Sequence, residues 1–208
     1  SGTHGNGIAI YEGNNHIGIF HNQAVNATIA LAYQDVENLY VVGNDFQTLW
    51  ASASHWADTT GGDMVFLNNT MALGPDVKDL RYGSGFQLWG VDDPATPADY
   101  IVKNNIFWST NWSIPADYTT PPNTFDNAYN CFLQTIEHWP KGPGSFESNW
   151  PENLFADWNN PIVRDLTIRD TNAKIYHAGV DVDDVLSDIE SVFASRGAQY
   201  AVDLHVDR

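Results

Sequence analysis

Short apolar runs interrupted by asparagine recur along this chain up to about residue 135. The stretches "IFHNQAV", "VVGNDFQ", "FLNNTMA", "IVKNNIF" and "NAYNCFL" align on one core: apolar, variable, Asn, variable, apolar or small. The aligned asparagines are Asn22, Asn44, Asn69, Asn104 and Asn130, at spacings of 22, 25, 35 and 26 residues. The shortest spacing sets the repeating unit, and the excess elsewhere is loop insertion. Between the asparagines lie "GIAIYE", "TIALAYQ", "SHWAD" and "GFQLWG", which alternate with period two and are rich in β-branched and aromatic residues. Each unit therefore offers two or three short strands separated by turns, with no helical period. Short strands repeating at this interval, without hairpin dipeptides at fixed positions, predict a chain that winds in stacked coils.

Stacked coils bring equivalent residues about 4.8 Å apart, the spacing of neighbouring strands. At that distance a buried asparagine in each turn can donate its amide to the carbonyl of the next, giving a ladder.

These residues resemble the right-handed parallel β-helix proteins, the pectate-lyase-like group of polysaccharide lyases and glycoside hydrolases. The resemblance covers roughly residues 4–135 and is specific for fold rather than substrate. It implies an all-β solenoid of about five coils with the ladder turn between the second and third strands. Strand one is then "IAIYE", "IALAY", "SHWA" and "FQLW", and strand two is "IGIFH", "LYVVG", "MVFLN" and "YIVK". The coils occupy residues 1–135, and residues 136–208 form a covering segment and cap of the same structural domain. Residues 111–124, rich in proline, read as a long loop, and residues 138–164 as an irregular cover. In "VDDVLSDIESVFASRG", Val185, Leu186, Ile189 and Phe193 recur at helical spacing and Gly197 supplies a stop, which predicts one amphipathic helix. A solenoid must close its open end, and this tail is assigned to do so.

Charge narrows the partners. With 26 Asp and Glu against 9 Lys and Arg, the net charge is −17. Nucleic acid and anionic membranes, which require a basic surface, are poor partners. No apolar run approaches the roughly 18 residues that span a membrane. Cys131, the single cysteine, excludes an internal disulfide and reads as a small buried apolar residue. Localisation is expected to be secreted or at the cell surface. Sequons begin at Asn26, Asn68 and Asn111.

Candidate chemistry follows from strand-one alternation. If Ile8, Ile10, Ile29, Leu31, Phe86 and Leu88 point inward, then Tyr11, Ala30, Ala32, Gln87 and Trp89 point outward, with His55 stacked beside Ala30 and Gln87. In the resembled family this face forms the saccharide groove, where Tyr11 and Trp89 would stack on sugar rings. Substrate binding is assigned to Tyr11, Gln87, Trp89 and Lys78. Asp35, Asp58 and Asp92, on turns after strand one, are candidate ligands for Ca²⁺ or an acid–base pair. A lyase needs a base and a cation beside a uronate carboxylate, for which His55, Arg81 and Asp58 are the candidates. The chain departs from the family in having no basic cluster there. The expected function is thus an extracellular, carbohydrate-active protein, lyase-like or hydrolase-like, acting on a polysaccharide along the strand-one face. The alternative is a non-catalytic surface, adhesive or filament-forming solenoid that self-associates through an open end.

Overall fold

A computed structural model describes residues 5–56, 62–74, 84–89, 98–108, 111–113, 124–133, 142–148, 155–157, 159–169 and 178–205, with backbone alone at 12, 54–56, 84–89, 111–113 and 148. The strands are β1 (Asn6–Phe20), β2 (Gln23–Val42), β3 (Asp45–Trp56), β4 (Asp63–Leu67), β5 (Thr70–Leu73), β6 (Ser84–Trp89), β7 (Asp99–Lys103), β8 (Ile106–Trp108), β9 (Asn111–Ser113), β10 (Thr124–Ala128), β11 (Cys131–Leu133) and β12 (Phe146–Ser148). All of these pair in parallel. A short antiparallel pair, β13 (Phe155–Asp157) with β14 (Asp165–Ile168), and one helix, α1 (Asp183–Ala194), complete the described elements. The chain is a parallel β-solenoid.

β1, β2 and β3 are long because each turns a corner while still paired to its neighbour. Residues 6–11 of β1 pair with 29–34 of β2 on one face, and residues 14–20 pair with 36–42 on the next, with a register shift between Tyr11 and Asn14. The described residues complete about three turns, against the five expected. Parts of the later coils, including 75–83, 90–97 and 114–123, lie outside them. Residues 111–113, expected within a loop, instead pair with β6.

The second sheet shows how the core is built. Ile17, Leu39, Met64, Tyr100 and Phe125 form one column, and Ile19, Val41, Phe66 and Val102 another. Both belong to the interior cluster. The alternate columns, Gly18, Tyr40, Val65 and Ile101 beside Phe20, Val42 and Leu67, are also mostly apolar. Strands that are apolar on both faces require a cover on each. That cover is α1, whose Leu186, Ile189 and Phe193 pack on Tyr40, Val42, Val65 and Leu67 together with Val182 and Leu204. Full burial of a side chain such as Leu186 or Ile189 stabilises by about 1.5–3 kcal/mol. Gly18 is required here, because a Cβ on it would overlap the Phe20 ring and come within 2.8 Å of Phe193. The helix therefore lies against the side of the solenoid, a correction to the expectation that it closes an open end.

The third sheet is covered likewise. Its inward column is Ala24, Phe46, Met71, Phe107 and Phe132, and the Phe107 and Phe132 rings stack with centroids 5.4 Å apart. Its outward residues Ala72, Trp108, Cys131 and Leu133 pack beneath Phe155 and Leu166 of the β13–β14 hairpin. Cys131 is thus buried.

Asparagine side chains hold the corner between the second and third sheets. Asn22 Nδ2 donates to Asn44 Oδ1 (3.2 Å), Asn44 Nδ2 to Asn69 Oδ1 (2.9 Å), Asn69 Nδ2 to Asn105 Oδ1 (3.0 Å) and Asn105 Nδ2 to Asn130 Oδ1 (3.1 Å). Each receiving oxygen also accepts the donor residue's backbone N–H. Asn44, Asn69, Asn105 and Asn130 are buried. The fourth position is Asn105, not Asn104. Asn104 is the preceding corner residue, with φ +59°, and its amide bonds outward to both backbone groups of Val180.

Candidate functional site

The residue before each of the five linked asparagines has a left-handed backbone: His21, Gly43, Asn68, Asn104 and Tyr129, with φ between +55° and +66°. A left-handed residue points the chain outward at the corner, at a cost of roughly 1–2 kcal/mol for a residue with a Cβ. The five form the floor of a groove of about 1120 Å³ running along the solenoid axis. One wall is the hairpin, through Arg164 and Thr167, and the other is the approach to α1, through Gly179 and Leu204. Among the described residues, the helix covers the second sheet and the hairpin the third, and the groove runs over the corner between them. Residues 170–177, which join the two walls, lie outside the described residues.

Arg164 is fixed from several sides. Its backbone N–H donates to Gln47 Oε1 (3.0 Å), and its carbonyl accepts from Gln47 Nε2 (2.7 Å). Its Nη1 donates to the Leu73 carbonyl at 2.7 Å. The guanidinium lies 4.4 Å from the centroid of the Trp108 ring, a cation–π contact. Burial lowers its pKa, and its fixed neighbours are a neutral carbonyl and an aromatic face.

The expected site residues distribute differently. Tyr11 is exposed at 47%, and its hydroxyl accepts from Asn6 Nδ2 at 3.3 Å. Ala30 and Ala32, expected to leave room on an outer face, are fully buried. The backbone pairs His55 with Tyr33 and Leu88, whereas Gln87 pairs with Ser54. His55 thus shares the register of Ile10 and Tyr33, both buried, and does not sit beside Ala30 and Gln87. Trp89 pairs with Trp56 along the backbone; the side chains of His55, Gln87 and Trp89 are outside the description. Asp35 occupies a left-handed corner, φ +51°, near a second amide network in which Asn38 Nδ2 donates to Asn15 Oδ1 and Asn15 Nδ2 to Glu37. Asp58, Lys78, Arg81 and Asp92 lie outside the described residues. Among the described residues, no three His, Cys, Asp or Glu side chains converge as a metal ion requires, and no helix is long and apolar enough to cross a membrane.

One cluster near α1 has the order of a serine–histidine–acid relay. Ser187 Oγ is 3.4 Å from His205 Nε2, and His205 Nδ1 is 3.4 Å from Asp183 Oδ1. Ser187 is exposed within the helix, where main-chain N–H groups are committed to helical bonds and offer no oxyanion site. The cluster serves to fasten the chain's last described residues, together with the Leu204 N–H donating to Glu190 Oε1 at 2.6 Å.

Arg164 and Tyr129 were not singled out from sequence. Tyr129 had an available signal, its place before an aligned asparagine, but Arg164 lies in an irregular segment without periodicity. Comparison with models of protein families, with curated proteins and with solved structures finds no match to this chain.

Proposed function

We propose that the protein is a secreted or cell-surface glycan-binding solenoid, of the right-handed parallel β-helix kind that its sequence resembles, with the glycan lying along the corner groove. The observation that carries this reading is the groove's axial course over residues from five successive corners, His21 to Tyr129. Its floor repeats at the strand spacing of about 4.8 Å, comparable with the advance of one sugar unit in an extended chain. Asn68 offers donors and acceptors suited to hydroxyl groups, and Tyr129 offers a ring face. A net charge of −17 does not suit nucleic acid.

This reading moves the ligand from the strand-one face to the corner between the second and third sheets, because burial of Ala30 and Ala32 removes the room expected on the former. It favours binding without cleavage. Electrophoresis through gels containing neutral or acidic polysaccharides tests it, alongside assays for new reducing ends and for unsaturated products. Retardation by at least one polysaccharide, weakened in Tyr129→Ala and without product, is expected. Migration unaffected by every polysaccharide would remove the proposal, and product from any of them would replace it with a lyase or hydrolase.

A further inference from the structure

The two ends of the solenoid are finished differently. At the end formed by β10 and β12, polar groups terminate the repeat. Gly144 takes the left-handed corner conformation, φ +70°, and Ser145 follows it in the place of a ladder asparagine. Its Oγ accepts the Asn130 N–H at 3.0 Å, and the Phe146 N–H donates to the Asn130 carbonyl at 3.0 Å. Asn130 Nδ2 turns to a local acceptor, Asn127 Oδ1, at 2.6 Å. The inward column of the third sheet passes from Phe132 to Glu147, which is exposed. A charge at an inward position of a three-residue edge strand blunts further strand addition.

The β1 end has none of these devices. Among the described residues β1 pairs with β2 alone, so one edge of a 15-residue strand is open. Its inward residues Ile8, Ile10, Ile17 and Ile19 are all apolar, and Ile8 and Ile17, with Ala24 of β2, are only partly buried against the core. Asn22 is exposed, and its Nδ2 is spent on Asn44 Oδ1 and the Phe20 carbonyl. Its Oδ1 receives no donor among the described residues, whereas the next four ladder oxygens each accept two. β1 also lacks Lys and Pro, by which open edges are commonly protected.

Charge selects the occupant. Glu12 is the single formal charge among residues 1–34, and the other 25 acidic and all 9 basic residues follow them. Two copies of a molecule of net charge −17 repel over most of their surface, and that repulsion is least where the β1 ends face. A second copy brings the same apolar columns and the same open edge. A two-fold axis across this end sets the two β1 edges antiparallel, an arrangement that backbone pairing accepts, and the contact closes at two chains. Stacking head to tail would instead seat Glu147 and Asn127 of one copy over the apolar columns of the next, so the open-ended filament is disfavoured.

We propose that the β1 end of the solenoid is a self-association surface, through which two copies join head to head in a closed dimer. The glycan-binding reading does not enter into it.

The test is sedimentation velocity and small-angle scattering on the intact protein from micromolar to millimolar concentration, with amide exchange measured over the same range. A monomer–dimer equilibrium is expected, in which the dimer is longer along the solenoid axis without being wider. At concentrations where dimer predominates, β1 amides should exchange at least about fivefold more slowly, because the edge opens only in the monomer. Amides of β10 and β12 should be unaffected. Ala9 is exposed on β1, and Ala9→Glu places like charges across the contact, which should weaken association at least about tenfold. Amide shifts of Phe46 and Met71 report whether the solenoid stays intact in this variant, and the exchange comparison on the unaltered protein needs no variant. A monomer at every concentration overturns the inference, as does growth into filaments. A dimer that protects β10, β12 or the hairpin instead of β1, or one indifferent to Ala9→Glu, also overturns it.

Discussion

Replacing Asn105 by alanine and Asn104 by glycine should separate two roles that adjacent, identical residues perform. Asn105 is fully buried; its Nδ2 donates to Phe66 O, Lys103 O and Asn130 Oδ1, and its Oδ1 accepts from both nitrogens of Asn69. Alanine would orphan the buried Asn69 N–H at about 1–3 kcal/mol and remove the bonds of the two Nδ2 hydrogens, shared among three acceptors, at about 0.5–1.5 each, about 2–6 kcal/mol in all. That is comparable with the whole stability of an ordinary domain, about 5–15 kcal/mol. Asn104 instead makes two bonds to Val180 at a half-buried site. Glycine there loses about 1–2 kcal/mol and regains part by relaxing the left-handed backbone. Urea unfolding gives the two stabilities, and amide exchange gives the location. Asn105→Ala should speed exchange at Asn44 and Asn69, whereas Asn104→Gly should speed it only around Val180 and the start of α1. A loss below about 1 kcal/mol for Asn105→Ala, or a larger loss for Asn104→Gly, would refute the assignment of the buried position.

Other consequences are open to measurement. Gly18→Val should destabilise by about 1–3 kcal/mol through overpacking, and α1 should loosen before the solenoid does, as seen by exchange at Leu186 and Ile189. Burial first, and then the charge of Asp63, raise the Tyr40 pKa, with Arg196 opposing. The protein therefore holds the Tyr40 proton more tightly than the unfolded chain does. Its contribution is fully present below about pH 10, the unfolded value, and is lost as pH rises through the folded value. Tyr40→Phe should flatten the alkaline limb of a stability profile; an unchanged limb would remove Tyr40 as its source. Cys131 should resist thiol reagents in native buffer and react once urea unfolds the chain, and rapid native labelling would contradict its burial.

Much of the solenoid was legible because its physics is written in the chain as spacing. Apolar residues flank each corner asparagine, and the corner recurs whenever a coil closes. The helix was legible for the same reason, since Leu186 and Ile189, four and three residues from their helical partners, are its buried positions. The fourth asparagine was misplaced because both members of the Asn104–Asn105 pair satisfy the pattern. Only the left-handed residue before each corner distinguishes them, and its identities of His, Gly, Asn, Asn and Tyr carry no common chemistry. The place of the helix was readable in principle: "LYVV" and "MVFL" do not alternate, so strand two had to be covered on its outer face. The candidate site was far less legible. Aligning His55 with Gln87 set it one residue out, since its backbone partner is Leu88, and a one-residue slip exchanges the two faces. The pairing of Arg164 with Gln47 spans 117 residues, a separation at which no local pattern speaks.

Successive linked asparagines lie 22, 25, 36 and 25 residues apart, yet the strands on either side of each keep register: Leu67 faces Lys103 and Thr70 faces Ile106 across the longest interval. Extra length in one coil is thus expelled in the connections between paired strands, here both between Leu73 and Ser84 and between Trp89 and Asp99, rather than shared along the strands. Because doubling a loop adds only about 0.6 kcal/mol of closure cost, such a molecule can acquire, trim or exchange peripheral segments while its interior needs no redesign. The corner amides act as fixed bookmarks between which new sequence can be written.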